Sequence, residues 1–360
     1  MGVMSTAGGV RSRRVLARVG RSWALLALLL MLLVFSLAGK EFLSLANYSN
    51  ILLASVTLFF LAAGETFVVV SGGIDLSIGF VMGLVCVTSA IVMRDLNAAG
   101  ASQLICVSAG ATVGLVLSLI PGAINGLLIT RFRVPPFIAT LGMWGIANGL
   151  AWLFSGGLPI AFLPSAVHKI GRAYVGYYST KAGFSFAPPQ LTTREDILSV
   201  VKIIPVPVLI VAISLVVLGF VLARTRFGRH TYAIGGKMDA AVRAGIDVRR
   251  HLLKVYVLSS FCAGCAGVIL VFLSNAGSLT QFTSNYELLS IASVVIGGAS
   301  LTGGRGGIWG TVIGVLLIGT LNNGLMMMGL QIFYRFIAIG IILIGAVLID
   351  RSFPELLYED

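Results

Sequence analysis

The run WALLALLLMLLVFSLA, from Trp23 to Ala38, contains no charged side chain. A helix needs roughly 20 mostly apolar residues to cross about 30 Å of hydrocarbon, so continuous runs of this kind are typical of membrane-spanning helices. The strands of a transmembrane barrel would instead alternate apolar and polar side chains. The run therefore predicts a membrane helix and argues against a barrel.

The composition extends this prediction to the whole chain. Of its 360 residues, 58% are hydrophobic and 11% are charged, whereas charged residues make up about a quarter of an ordinary soluble domain. The 44 glycines and only 10 prolines favour closely packed helices with breaks between them. The four cysteines are too few for the disulfide framework of a secreted protein. The sequence therefore predicts an all-α polytopic membrane protein.

Apolar runs of spanning length predict about ten transmembrane helices, some of them broken at glycine. Their approximate cores are 23–38, 50–70, 77–93, 103–129, 137–156, 206–223, 255–273, 288–301, 308–327 and 334–349.

The orientation follows from the basic residues, because Lys and Arg accumulate in cytoplasmic loops. With an internal amino terminus, 17 of the 25 Lys and Arg residues fall on the inner side and 8 on the outer side. Both termini are therefore predicted to be cytoplasmic, with a basic segment at 1–22, a transmembrane domain at 23–349 and a tail at 350–360. The alternative is a cleaved signal peptide within 11–38, although an uncleaved first helix explains the charge bias as well. Topology accounts for the basic charge, so no nucleic-acid partner is expected.

The predicted inner loop 224–254 carries eight Lys or Arg residues, which could serve topology and attraction to anionic membrane lipid alone. Its middle, however, reads as a short helix rich in alanine, KMDAAVRAGI, preceded by Gly235-Gly236 and ended near Gly245. A short rigid helix on the inner surface suits the docking of a partner protein.

The predicted outer loop 157–205 is rich in Tyr and Phe and mildly basic. Thr193 and Asp196 resemble a capping box that opens a short helix. The tyrosines could anchor the loop at the membrane interface, or the loop could receive an acidic partner.

Two related segments mark breaks between helices. GGIDLSIG begins at Gly72-Gly73 and GGASLTGG begins at Gly297-Gly298. Paired glycines interrupt a helix, and the hydroxyl or carboxylate residues that follow can accept hydrogen bonds from the amides of the next helix. Repeated breaks in two halves of a transporter indicate its moving or solute-facing parts, although two capped cytoplasmic turns would leave the same pattern.

Few ionisable or amide side chains fall inside the predicted spans, where they are costly and informative. The candidates for a solute path are Glu65, Asp75, Asn125, Asn322 and Asn323. Glu65 could contact solute or tie two helices together, and we favour the tie. The asparagines could likewise bind a hydroxylated solute or bridge helices.

Motifs for catalysis are absent from the sequence. There is no Gly-Lys-Ser/Thr phosphate loop, no G-x-S-x-G motif and no H-E-x-x-H zinc helix. Cys262 and Cys265 have Cys-x-x-Cys spacing, but within a membrane helix they suit packing rather than redox chemistry. We therefore expect no catalytic residues, no metal and no nucleotide hydrolysis on this chain.

Four motifs follow one another along the chain: GGIDLSIG, VPPFIATLGMWGIANGLAWLFSGG, TRFGRHTYAIGGKMDAAVRAGI and IASVVIGGASLTGGRGGIWGTVIGVLLIGTLNNGLMMMGL. In sequence and in order they resemble the permease subunits of ribose/galactose-type bacterial ABC importers. The resemblance covers about residues 45–351. It implies an inner-membrane permease that works as a homodimer or with a similar second permease. It also implies a cytoplasmic ATP-binding subunit, often a fused double ATPase that binds ATP and Mg, and a periplasmic binding protein that delivers a monosaccharide.

The same resemblance implies that the inner loop couples the chain to the ATPase. The family's acidic or polar pair is reduced here to Asp239. The coupling residues are predicted to be Gly235, Gly236, Asp239, Ala240, Ala241, Arg243 and Gly245.

The expected function is import of a sugar or similar small hydroxylated solute, driven by ATP hydrolysis on a partner. A facilitator or channel that works without ATP is the first alternative, and a membrane enzyme is the second.

Overall fold

The computed structural model describes residues 23–39, 41–179, 183–186, 200–278 and 285–352. The predicted segment 1–22, the capping box at Thr193 and most of the tail 350–360 lie outside these ranges. The described elements are α1 (Trp23–Ala38), α2 (Leu45–Val70), α3 (Ile78–Ala98), α4 (Gln103–Thr130), α5 (Pro136–Ser155), α6 (Ser165–Gly171), β1 (Tyr174–Ser179), β2 (Gly183–Ser185), β3 (Val201–Pro205), α7 (Val206–Arg224), α8 (Arg226–Gly236), α9 (Met238–Arg243), α10 (Val248–Ser274), α11 (Tyr286–Ile296), α12 (Ile308–Met327) and α13 (Ile332–Ser352).

The described helices make the chain a polytopic membrane protein. Seven of them are long and apolar enough to cross a membrane, namely α2, α3, α4, α5, α7, α10 and α12. Three shorter apolar helical segments lie at Trp23–Ala38, Tyr286–Ile296 and Phe333–Ile342. All of these coincide with runs read from the sequence, while the count of ten spans and the cytoplasmic placement of the termini stay predictions.

The eighth predicted span, 288–301, is too long at its carboxyl end. The helix α11 stops at Ile296, and 297–307 forms an irregular segment before α12 begins at Ile308. Gly297 and Gly298 end the helix, because glycine favours turns over helical backbone, and four more glycines at 303, 304, 306 and 307 follow in the irregular segment.

The prediction of an all-α chain is wrong in the outer loop, which contains a three-stranded antiparallel sheet in the order β2-β1-β3. Tyr178 pairs with Phe184 on one side, and Tyr177 pairs with Lys202 on the other. Aromatic and β-branched residues are common in β1 and β3, as β-structure prefers.

The helix α2 lies at the centre of the bundle. In its most apolar window 89% of residues are buried, compared with 28% for α4, α5 and α7. It packs against α7, α8, α10, α11 and α12, while α10 also packs against α3 and α4. The exposed faces of α4, α5 and α7 carry large apolar side chains, which suits contact with lipid.

Glycine lets α4 and α10 pack closely. A Cβ on Gly122 would lie 2.6 Å from the Tyr256 carbonyl oxygen, and one on Gly126 would lie 2.9 Å from the Leu253 Cα. This G-x-x-x-G spacing allows two backbones to approach directly, as is common between membrane helices. It holds α10 in place beside the first helix break.

Candidate functional site

The first break follows α2. The amide of Gly72 donates to Val69 O and that of Gly73 donates to Val68 O, each at 2.9 Å. Gly72 has a φ of +85°, a left-handed conformation in which a side chain would be strained. The chain therefore leaves the helix in a tight glycine turn and enters the segment that carries Asp75.

Asp75 organises the segment between α2 and α3. Its amide donates to Glu65 Oε1 at 3.1 Å, and its Oδ1 accepts from the amide and hydroxyl of Ser77 at 3.0 and 2.6 Å. Its Oδ2 accepts from Ser259 Oγ on α10 at 3.0 Å, and Asn125 Nδ2 on α4 donates to Ser77 Oγ at 3.0 Å. We call these five residues the Asp75 network.

Three predicted path residues, Glu65, Asp75 and Asn125, are brought together in this network, and each is 0% exposed. Their bonds join α2, α4 and α10 to the first break. Glu65 accepts from the Asp75 amide at the break, so its role as a tie between helices and its role in the solute path both stay predictions. The sequence predicted that polar side chains after the glycines accept hydrogen bonds from the amides of the next helix. Asp75 does accept one from the Ser77 amide, but the Ser77 side chain accepts none from the amides of α3.

The second break repeats the geometry of the first. After α11, the amide of Gly298 donates to Val295 O and that of Ala299 to Val294 O, at 2.9 and 3.1 Å. The left-handed residue is Gly298, with a φ of +90°. Sequence comparison pairs Gly72 with Gly297, but the backbone makes Gly298 the equivalent of Gly72. The structural alignment of the two breaks is therefore shifted by one residue from their sequence alignment.

The two breaks and the end of α8 meet at one place. The Gly304 amide donates to Val70 O at 2.8 Å. A Cβ on Gly303 would lie 2.9 Å from Gly72 Cα and 2.8 Å from Gly235 O, and one on Gly304 would lie 2.8 Å from Gly236 Cα. We call the five glycines that meet here the glycine junction: Gly72, Gly235, Gly236, Gly303 and Gly304.

A tyrosine strengthens the junction. Tyr232, on α8, donates its hydroxyl to Gly306 O at 2.7 Å. Burial raises the pKa of the Tyr232 phenol, which keeps the donated proton in place. The inner loop is therefore attached to the second break by a side chain as well as by backbone contact.

The short helix α9 projects beyond the junction. Ala241 is 3% exposed and anchors the helix, whereas Met238 and Val242 are 48% and 57% exposed and lie four residues apart on one face. Asp239, Ala240 and Arg243 are also exposed.

A glycine ends α9. Gly245, with a φ of +80°, donates to Val242 O, while the Ile246 amide donates to Ala241 O. This hydrogen-bonded turn holds the end of α9 in a defined conformation. The predicted coupling residues thus divide into two groups: Gly235 and Gly236 belong to the glycine junction, and the others belong to the largely exposed helix α9 and its end.

Asn322 and Asn323 lie elsewhere, in a cleft of about 640 Å³ between α2, α11, α12 and α13. We call it the asparagine cleft. Asn47, near the start of α2, lines it, whereas Val70 at the other end of α2 contacts the glycine junction. At 1.5 Å per residue these two positions are roughly 35 Å apart, about a membrane thickness. The polar lining residues are Glu41, Ser44, Asn47, Asn50, Ser55, Tyr286, Asn322, Asn323 and Arg335.

Several of these residues were not found from the sequence. Asn47 and Asn50 are three residues apart at the start of an apolar run, a spacing that could have placed them on one helix face. Ser259 and Tyr232 carried no local signal, because their partners lie far away in the chain. Within the described residues no group of three His, Cys, Asp or Glu side chains could hold a metal ion.

Known proteins resemble nearly the whole chain. Residues 47–349 match the family described as "Branched-chain amino acid transport system / permease component". The ribose import permease protein RbsC of Bacillus subtilis (strain 168) is 38% identical over 327 residues, 91% of each chain. The D-allose transport system permease protein AlsC of Escherichia coli (strain K12) is 33% identical over 317 residues, 88% of this chain and 86% of that protein. The xylose transport system permease protein XylH of Haemophilus influenzae (strain ATCC 51907 / DSM 11121 / KW20 / Rd) is 33% identical and covers 91% of this chain and 95% of its own. No solved structure matches the chain.

Proposed function

Because the chain belongs to this permease family and is the transmembrane permease subunit of an ABC sugar importer, we propose that its cargo is a monosaccharide of the ribose, allose or xylose kind. The similarity to three sugar permeases supports this cargo class. The chain is a multi-pass protein of the bacterial inner membrane and a transport subunit, not an enzyme. Its partners are an ATP-binding subunit and a periplasmic binding protein.

The glycine junction is the observation that supports the mechanism. Gly235 and Gly236 end α8, which continues into the exposed helix α9, and they touch both helix breaks. A displacement of α9 would therefore press on the end of α2 and on the segment that joins α11 to α12. The contacts of the glycine junction involve glycine backbone, so no flexible side chain there absorbs the movement.

The helix α9 is the docking element in this mechanism. Its exposed Met238 and Val242 suit an apolar groove on the ATP-binding subunit, and Asp239 and Arg243 beside them suit its polar rim. ATP and Mg²⁺ bind to that subunit. Closure of the subunit moves α9, shifts the two breaks and opens the solute path to one side at a time.

The arrangement across the membrane follows from this assignment. The glycine junction and α9 face the cytoplasm together with both termini, and ten helices cross the membrane. The sheet β2-β1-β3 faces the periplasm, where Arg172 and Lys202 suit an acidic surface of the binding protein. The permease pairs with a second copy or a similar permease, and the ATPase is a fused double subunit.

The asparagine cleft forms the solute path on the outer side. Amide and hydroxyl side chains line it, and such groups can exchange hydrogen bonds with a sugar as it leaves the binding protein.

Uptake by reconstituted vesicles tests this function against an ATP-independent facilitator. The permease is inserted with its ATP-binding subunit, and radiolabelled ribose, allose and xylose are offered with the binding protein. We expect uptake of at least one sugar only when ATP, the ATP-binding subunit and the binding protein are all present. Equal uptake without ATP would identify a facilitator instead.

A further inference from the structure

We propose that Asn323 and Arg335 form a solute subsite in the asparagine cleft, selective for neutral polyhydroxylated molecules. This inference rests on the proposed function. It adds that the permease itself recognises the solute after release from the binding protein.

The first observation is a pair of unused polar atoms. Asn323 Oδ1 and Arg335 Nε are both buried, and neither has a hydrogen-bond partner among the residues that the structure describes. Asn323 is only 8% exposed. Buried polar atoms are nearly always paired, so a donor and an acceptor left open in one cleft indicate a missing partner.

The chemistry of the two atoms defines that partner. Asn323 Oδ1 can only accept a hydrogen bond, and Arg335 Nε can only donate one. A sugar hydroxyl can donate and accept, so one chemical class of solute suits both atoms. A lipid tail can satisfy neither.

The charges in the cleft suit a neutral solute. Glu41 lines the same cleft as Arg335, and no ion pair joins these two described residues. The two opposite formal charges sum to zero, so the cleft has no net attraction for an anionic or a cationic solute over a neutral one. Leu58, Ile318 and Phe336 complete the wall, and mostly apolar walls with few polar groups are typical of ligand pockets.

The size and position of the cleft fit a delivered solute. Its volume of about 640 Å³ lies within the usual range of ligand sites, roughly 300–1,000 Å³. A second cavity of about 480 Å³, lined by Arg172, Tyr174 and Lys202 at the base of the outer sheet, shares Ala54 and Tyr286 with it. The two cavities therefore adjoin at Ala54 and Tyr286, which places the subsite next to the cavity at the outer sheet.

Transport by reconstituted variants tests the subsite. In the complex with the ATP-binding subunit and binding protein, Asn323→Ala and Arg335→Gln should each lower sugar uptake per ATP hydrolysed about tenfold, the usual loss for one charged or buried hydrogen bond. ATPase stimulation by the binding protein should stay within about twofold of the unmodified complex. The probe is whichever of ribose, allose and xylose the unmodified complex transports fastest.

The chain supplies matched controls. Asn148 also has a buried, unpartnered Oδ1, but it lies on α5 and does not line the cleft. Arg94 is an arginine on α3, on the outer side in the proposed orientation, and also outside the cleft lining. Asn148→Ala and Arg94→Gln should therefore leave uptake per ATP unchanged.

A second measurement keeps the inference testable if a variant fails to fold. Asn322→Cys, beside Asn323 in the cleft, should react with a thiol reagent more slowly when the transported sugar is added, while Tyr48→Cys, outside the cleft lining, should not. Normal uptake in both subsite variants, or labelling of Asn322→Cys that the sugar does not slow, would overturn the subsite and leave the proposed function standing. Failure of the unmodified complex to transport any of the three sugars would overturn the proposed cargo class and the subsite with it.

Discussion

Asp75 shows how one buried carboxylate can fix a helix break. It accepts three hydrogen bonds, from the amide and hydroxyl of Ser77 and from Ser259 Oγ. Its residue type and glycine-rich surroundings were visible in the sequence, but Ser259 lies far along the chain and has no distinguishing neighbours. A sequence can therefore identify the centre of such a network without its partners.

Replacing Asp75 with Ala should destabilise the fold. The change removes three accepted hydrogen bonds and leaves buried hydroxyls without partners, at a cost of about 2–4 kcal/mol. Thermal unfolding in detergent should show a lower Tm than the unmodified protein. Asp95→Ala is the control, because the Asp95 side chain is 60% exposed and surface changes usually stay within about 0.5 kcal/mol. An equal Tm for both variants would show that the network contributes nothing measurable.

Adjacent glycines in the glycine junction offer a sharp test of coupling. A Cβ on Gly235 would overlap Val70 O, whereas one on Gly236 would meet nothing within 4 Å. Gly235→Ala should therefore force α8 away from the first break, with a strain of about 1–3 kcal/mol, and lower ATP-driven uptake. Gly236→Ala should transport normally. Equal uptake by the two variants would show that close packing at Gly235 is not needed for coupling.

The sequence located both helix breaks but did not determine which glycine of each pair adopts the left-handed conformation. Paired glycines predicted that helices stop near residues 72 and 297, and they do. The left-handed position, however, is the first glycine of one pair and the second of the other. Either glycine of a pair can adopt the left-handed conformation, so residue type alone does not determine the register.

The helix α9 is expected to need its glycine end. Gly245 has a φ of +80° and its amide bonds to Val242 O, neither of which proline allows. Gly245→Pro should leave membrane insertion intact but uncouple ATP hydrolysis from uptake. Vesicles that hold the complete complex would show continued hydrolysis with little sugar inside.

Gly100 provides the matched control for that experiment. It has a φ of +79° and donates to Asn97 O at the end of α3, in the same kind of turn but away from the inner loop. Gly100→Pro should disturb its own turn to a similar degree and keep uptake coupled. Loss of coupling in both variants would mean that general strain, not α9, is responsible.

The whole molecule places its glycine junction and its outer sheet at opposite ends of the bundle. Apolar runs of spanning length predicted the helices, because the bilayer imposes a length on each run, while the orientation read from the basic residues stays a prediction. The apolar runs did not predict the sheet at Tyr174–Pro205, since a loop outside the bilayer is free of that constraint. The family assignment was confirmed by relatives that cover nearly the whole chain.

Orientation can be tested on the intact protein. A cysteine replacing Asp239 on α9 should react with a membrane-impermeant maleimide only in inside-out vesicles, and one replacing Lys202 on the outer sheet only in intact cells. Three of the four native cysteines are buried and the fourth is partly buried, so background labelling should be low. Labelling of Asp239→Cys in intact cells would contradict the proposed orientation.

The glycine junction joins its three segments mainly through main-chain atoms, whereas the cleft roughly 35 Å away is lined by side chains. Under the proposed mechanism, substitutions that change solute selectivity can therefore accumulate at the cleft without altering the contacts that transmit movement at the junction. This separation makes the permease modular. Exchanging its cleft residues for those of a relative with another cargo should change solute selectivity, while the original ATP-binding subunit continues to drive transport.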